Sequence, residues 1–243
     1  MGKEVAHVLQ VTRLLEHQGV SCCLAGTSAL IYYGAKRSRG DWLICVPSED
    51  YSAAVALLDA SRETCYRQPP IAPQVSSLVH RYARYKLQDG SLCVFFVLAP
   101  SSGCHITCVP ENLERSRNNL PYPKLHVFAQ SLIDMHDVVA LCDLVDGMDL
   151  DVQWGREHLD LSDTNDLTWA ERSNELIRES MPPSEVSFLY EFSVVAESRE
   201  KIWEQAVNGK EERMRGKYQT EYWKTRFRLH TDSDPTLQDR DYV

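Results

Sequence analysis

Residues 20–46 read VSCCLAGTSALIYYGAKRSRGDWLICV, and the order of residue types in that run decides the fold. VSCCLA is an apolar run of strand length. Gly26 and Thr27 make a small-residue turn, and Thr27 or Ser28 can cap a helix that runs through Tyr32 and Tyr33 to Gly34. AKRSRG is a basic loop, and WLICV is a second buried strand that stops at Pro47. Asp41 opens this strand. Leu43 follows two residues on, and alternate strand residues share a face.

Apolar residues at helical spacing over 4–18 predict an amphipathic first helix that ends at Gly19. After Pro47, YSAAVALLDAS predicts a third helix, and residues 61–80, with Pro69, Pro70 and Pro73, read as an irregular insertion. RYARYKLQ and SLCVFFVLAP flank Asp89-Gly90, a strong two-residue turn signal, and so form a hairpin. CHITCV reads as a short strand with His105 on it, and NNLPYPKL as a loop. From Leu125 onward the chain reads as helical: two linked helices up to residue 150, then an acidic loop over 149–166. Further helices are predicted over 167–180 and 184–208, and a basic, aromatic-rich one over 210–230. The expected division is an α/β domain over 1–124, a helical region over 125–230 packed on it, and a polar, mobile tail over 231–243.

The order strand, small turn, helix, strand, helix, hairpin and then helices resembles the minimal nucleotidyltransferase fold, an α/β (α+β) mixed sheet flanked by helices. In that family a Gly-Ser or Gly-Gly turn is followed by Asp-apolar-Asp, and a third carboxylate stands on a later strand. Here the turn is Gly26-Thr27, thirteen residues intervene, and the acidic piece is Asp41-Trp42-Leu43. Neither SLCVFFVLAP nor CHITCV carries an acid, so Phe95, Phe96 or Thr107 takes the third place. NNLPYPKLHVFAQSLIDMHDVVALCDLVDGMDL and WGREHLDL are similar to a fungal branch of this fold that lacks the paired metal-binding carboxylates. Paired carboxylates hold the Mg²⁺ ions of phosphoryl transfer, and one carboxylate beside a leucine does so poorly. The resemblance therefore implies a degenerate active site, with no metal and no cofactor.

The expected function is a metal-independent small-molecule enzyme of specialised metabolism, working by acid–base cyclisation, isomerisation or elimination. Asp41, His105 and Tyr32 are its candidate catalytic groups. Gly26, Thr27, Ser28, Arg37, Arg39, Leu43 and Phe95 are the candidate ligand contacts. Asp41 is either such an acid or a structural residue paired with Arg37 and Arg39, and His105 is either functional or core. Two other readings stay open. One is a non-catalytic pseudoenzyme that binds a nucleotide or a protein partner. The other is residual nucleotidyl transfer, rescued by an acid such as Glu111 or Asp143. Asp143 and Asp146, three apart on one helix, read as a solvated face, and Asp134 and Asp137 beside His126 and His136 as surface charge.

The net charge of −9 argues against a nucleic-acid partner, although the C-terminal stretch interleaves Lys and Arg with Met214, Tyr218, Tyr222 and Phe227. That aromatic side offers a packing face for the domain or for a second subunit in a homo-oligomer. No stretch reaches the roughly 18–20 apolar residues that span a bilayer. The first residues read as an amphipathic helix rather than a signal core, and Ala6 does not fit a myristoylation motif. A cytoplasmic protein is expected. Most of the eight cysteines lie in apolar runs and read as buried structural thiols. Cys104 and Cys108 have the spacing of a metal-binding pair, but no second pair follows at zinc-finger spacing.

Overall fold

Gly19 adopts a left-handed conformation (φ 80°) that ends the first helix, α1 (Lys3–His17), and turns the chain into the sheet. The computed structural model describes residues 3–88, 94–182, 188–215 and 236. After α1 come β1 (Cys23–Ala25), α2 (Thr27–Tyr32), β2 (Trp42–Val46), α3 (Tyr51–Ala60), β3 (Cys65–Gln68), β4 (Ala83–Leu87) and β5 (Phe95–Pro100). The five strands form one mixed sheet in the order β1-β2-β5-β4-β3. Only β2 and β5 run parallel, and the other neighbours are antiparallel. The mixed α/β class expected from the sequence is the class observed.

One face of this sheet is built for burial. Trp42, Ile44, Phe96, Leu98 and Tyr85 lie on it and are buried. The opposite face carries Leu43, Phe95, Val97 and Arg84, so Asp41 and Leu43 do fall on one side, as the alternation requires. β4 and β5 pair antiparallel as the hairpin reading expects, whereas the Asp89-Gly90 turn lies outside the described residues.

Several sequence expectations need correction. The insertion over 61–80 contains β3, an edge strand whose polar, exposed residues hide it from a search for apolar alternation. NNLPYPKL contains β7 (Pro121–Pro123), which pairs with β6 (Leu113–Arg115) in a separate two-stranded ribbon. Two-stranded pairing leaves one edge of each strand free, so proline is tolerated there. CHITCV is not a strand. β5 runs directly into a single helical turn, α4 (Ser101–Cys104), which His105 ends at φ 50°. Cys104, Ile106 and Cys108 are buried and the residues between them are not, so the alternation exists without a ladder partner.

Helices α5 (Leu125–Asp134), α6 (Val138–Met148), α7 (Val152–His158), α8 (Leu167–Ser180), α9 (Arg199–Asn208) and α10 (Lys210–Arg215) make up the helical region. α7 lies within the stretch expected to be an acidic loop. Of the helix expected over 184–208, residues 184–187 lie outside the described residues, Phe188–Tyr190 form a short 3-10 turn, and α9 begins at Arg199. The C-terminal aromatic positions and the tail fall outside the described residues, except that Thr236 is described. One hydrophobic cluster joins both parts of the chain: Trp42, Phe96 and Tyr33 share it with Phe128, Leu144 and Trp203. Gly147 of α6 lies so close to the turn after α2 that a Cβ there would stand 2.6 Å from the Tyr33 carbonyl oxygen and 2.9 Å from the Ala35 nitrogen. Among the described residues no helix is long and apolar enough to cross a membrane.

The expected solvated face of α6 is also corrected. Asp143 and Asp146 are buried, at 4% and 1% exposure. Asp143 receives the Arg37 guanidinium, and Asp146 is gripped by Arg213 at 2.8 and 2.9 Å. Asp134 is buried too, and Arg199 Nε lies 2.7 Å from its carboxylate. Buried carboxylates must be paired, and these partners come from distant parts of the chain that helical spacing cannot reveal.

Candidate functional site

A cleft separates the Leu43 face of the sheet from α5 and α6. It has two adjoining cavities of about 350 and 490 Å³, and Leu43, Cys104, Met135, Asp137 and Val139 line both. In the smaller one the sheet side is Ala25, Gly26, Thr27 and Leu43, and Phe128, Leu132 and Ala140 face it from the helices. In the larger one Val75, Leu78, Tyr82, Trp169 and Phe192 close the other end. The walls are predominantly apolar. Polar groups stand at the smaller cavity as Arg37, Ser38 and Asp137, and at the larger one as Ser76, Ser77 and His136.

Local chain geometry explains the sheet-side wall. Gly26 sits at φ 56°, ψ −135°, a region essentially reserved for glycine, and this lets β1 turn at once into α2. A Cβ on Gly26 would meet Leu43 Cδ2 at 3.2 Å. The turn and the leucine are thus fitted to one another. The register places Leu43 between Ala25 on β1 and Val97 on β5. Where the resemblance calls for a second carboxylate stands Leu43, and the residue beside it on β5 is Val97, not Phe95, Phe96 or Thr107 as the sequence suggested.

Of the expected ligand contacts, Gly26, Thr27, Arg37 and Leu43 line the cleft. Ser28 is buried beneath it. Arg39 lies with its guanidinium carbon 3.5 Å above the Trp42 ring, and Phe95 lies under Arg84 at 4.3 Å. These three line neither cavity.

The expected catalytic groups line neither cavity and are held elsewhere. Asp41 is gripped by Arg84, not by Arg37 or Arg39. Tyr32 stacks on Tyr122 with ring centroids 4.1 Å apart and donates its hydroxyl proton to Glu114 at 3.0 Å. Its neighbour Tyr33 donates to the Pro123 carbonyl at 2.6 Å. Both tyrosines thereby fasten α2 to the β6–β7 ribbon.

His105 lies 3.0 Å from Asp166 and 3.8 Å from Asp134, edge-on to Trp169. It lines a shallower cavity of about 370 Å³ with Glu49, Thr107 and Trp169. Burial opposes ionisation of Asp166. Hydrogen bonds from the Trp169 backbone and from His105 outweigh it and hold the carboxyl below its ordinary range. Sequence reasoning missed Met135, Asp137 and Val139. The signal for them was the Val138-Val139 pair just after Asp137, which caps α6 by accepting from the Ala140 amide at 3.0 Å and leaves Val139 64% exposed.

No family model matches the chain, and none of the curated proteins searched is similar enough to count as a relative.

Proposed function

We propose that the protein binds a small, largely apolar organic molecule in the cleft between its sheet and helices α5 and α6, on a scaffold similar to a nucleotidyltransferase whose metal-holding acids are gone. One observation carries this reading: Leu43, flanked in register by Ala25 and Val97, lines both cavities at the position where the resemblance calls for a carboxylate. A concave apolar site with a few polar groups suits a small organic ligand. The order of strands and helices supports the likeness of scaffold, and Arg37, Ser38 and Asp137 supply the polar end of the site. Acid–base chemistry on the bound molecule, such as a cyclisation, isomerisation or elimination, is the reaction class that fits such a cleft.

The test is fluorescence titration with the apolar reporter anilinonaphthalene sulfonate, alongside calorimetry with the four nucleoside triphosphates with and without Mg²⁺. The reporter is expected to bind saturably and to be displaced by apolar metabolites. Leu43→Asp should abolish that binding. Nucleotide binding that requires Mg²⁺ and is weakened by Asp41→Ala would overturn the reading.

A further inference from the structure

Cys23 and Cys45 share the Leu43 face of the sheet, and Cys108 and Cys104 converge on them. The β1–β2 register places Cys23 directly opposite Cys45. The loop after α4 brings Cys108 to both: its sulfur lies 3.9 Å from that of Cys23 and 3.6 Å from the Cys45 carbonyl oxygen. The three sulfurs all lie within 4.8 Å of one another. Cys104, at the end of α4, sets its thiol against that of Cys45. All four are buried and none is in a disulfide. Cys22 takes no part, because strand alternation turns it away to meet the Thr12 carbonyl at 3.7 Å.

We propose that Cys23, Cys45, Cys104 and Cys108 form a closed four-thiolate site for zinc(II) that ties the 104–109 loop to the sheet. Cys104 and Cys108 have the separation of one zinc-binding pair, and the second pair comes from strand register instead of sequence spacing. A tetrahedral site with Zn–S bonds of about 2.3 Å has sulfur–sulfur edges of about 3.8 Å. Cys23, Cys45 and Cys108 already stand within 4.8 Å of one another, whereas the Cys104 thiol, beside Cys45, lies outside that mutual distance and must turn inward to close the tetrahedron. Soft thiolate donors favour zinc over the hard, oxygen-seeking Mg²⁺ or Ca²⁺.

Binding displaces the thiol protons to solvent, so the ion replaces them as the group holding the four sulfurs together. Cys104 lines both cavities of the cleft, so the site would set the position of one cleft wall.

The test begins with the metal content of the full chain purified without chelator. It continues with titration of the stripped protein by Zn(II), and by Co(II) as a spectroscopic stand-in. One zinc per chain is expected, with thiolate-to-cobalt charge transfer, tetrahedral ligand-field bands and a rise in unfolding temperature on loading. Cys45→Ser and Cys104→Ser should each weaken zinc affinity by about 100-fold, whereas Cys65→Ser and Cys142→Ser should leave it unchanged. Wild-type protein that stays folded yet binds no stoichiometric zinc would overturn the proposal without recourse to any variant. So would zinc binding indifferent to Cys104→Ser, or a disulfide found among these four residues.

Discussion

Arg84 holds Asp41 in a two-pronged grip, with Nε 2.6 Å from Oδ2 and Nη2 3.3 Å from Oδ1. The pair joins the start of β2 to β4 across the intervening β5, over the ring of Phe95. The two side chains are 17% and 22% exposed, so the contact is neither a solvated surface pair nor a fully buried one. Arg84→Ala and Asp41→Asn are each expected to cost about 1–2 kcal/mol in urea unfolding, between the ranges for exposed and buried pairs. Reporter affinity at the cleft should not change in either variant. Loss of reporter binding in Asp41→Asn with stability intact would return Asp41 to the site.

Gly26→Ala places a Cβ against Leu43 and forces a left-handed backbone on alanine. Destabilisation of about 1–3 kcal/mol is expected from the backbone alone. Combining it with Leu43→Ala should recover the part due to the 3.2 Å contact and leave the backbone part, which a double-mutant cycle in denaturant would read.

At the cleft mouth, Val139→Asp is expected to leave thermal stability within about 0.5 kcal/mol of wild type, because the side chain is already largely exposed. It should weaken the apolar reporter by about tenfold, equivalent to about 1.4 kcal/mol. Equal affinity in this variant would mean that the reporter sits elsewhere.

His80 ties the 3-10 turn at Val79–Arg81 to the end of α8 through a 2.7 Å contact with Ser180 Oγ. Burial, reinforced by the Arg81 charge, pushes its imidazole below the ordinary value of 6.5. The unfolded chain therefore takes up this proton first as the pH falls. The contribution to stability is complete above 6.5 and is lost as acidification proceeds from there toward the lowered folded-state value. Unfolding temperatures measured between about pH 7.5 and 5.5 should fall, and His80→Gln should flatten part of that slope.

Gly147→Ala should cost about 1–3 kcal/mol, since the added methyl meets backbone atoms that no rotamer change can move. Chemical denaturation reads the loss directly.

The 20–46 unit was legible because each of its signals is local: an apolar run, a small turn, a basic loop and a second apolar run. The pairing of Asp41 with Arg84 was not, since it depends on how β4 registers against β5 forty residues later. The same limit hid the partners of Asp143 and Asp146, whose spacing matches a solvated face and whose burial is set by Arg37 and Arg213. β3 escaped because edge strands are polar, and CHITCV misled because it alternates without pairing. In the cleft, Gly26, Thr27 and Leu43 could be read from sequence. The opposite wall of Met135, Asp137 and Val139 comes from helices whose approach to the sheet is a tertiary event. Cys23 and Cys45, twenty-two residues apart, met Cys108 for the same reason.

The near-contact of Gly147 with the Tyr33–Ala35 turn also bears on how a guest is met. Backbone stands close to backbone there, so α6 cannot press further toward the sheet at that point. A cleft propped apart in this way needs no opening step, and the exposed Val75 and Val139 stand where it meets solvent. Binding kinetics should then show a single phase whose rate rises linearly with ligand concentration.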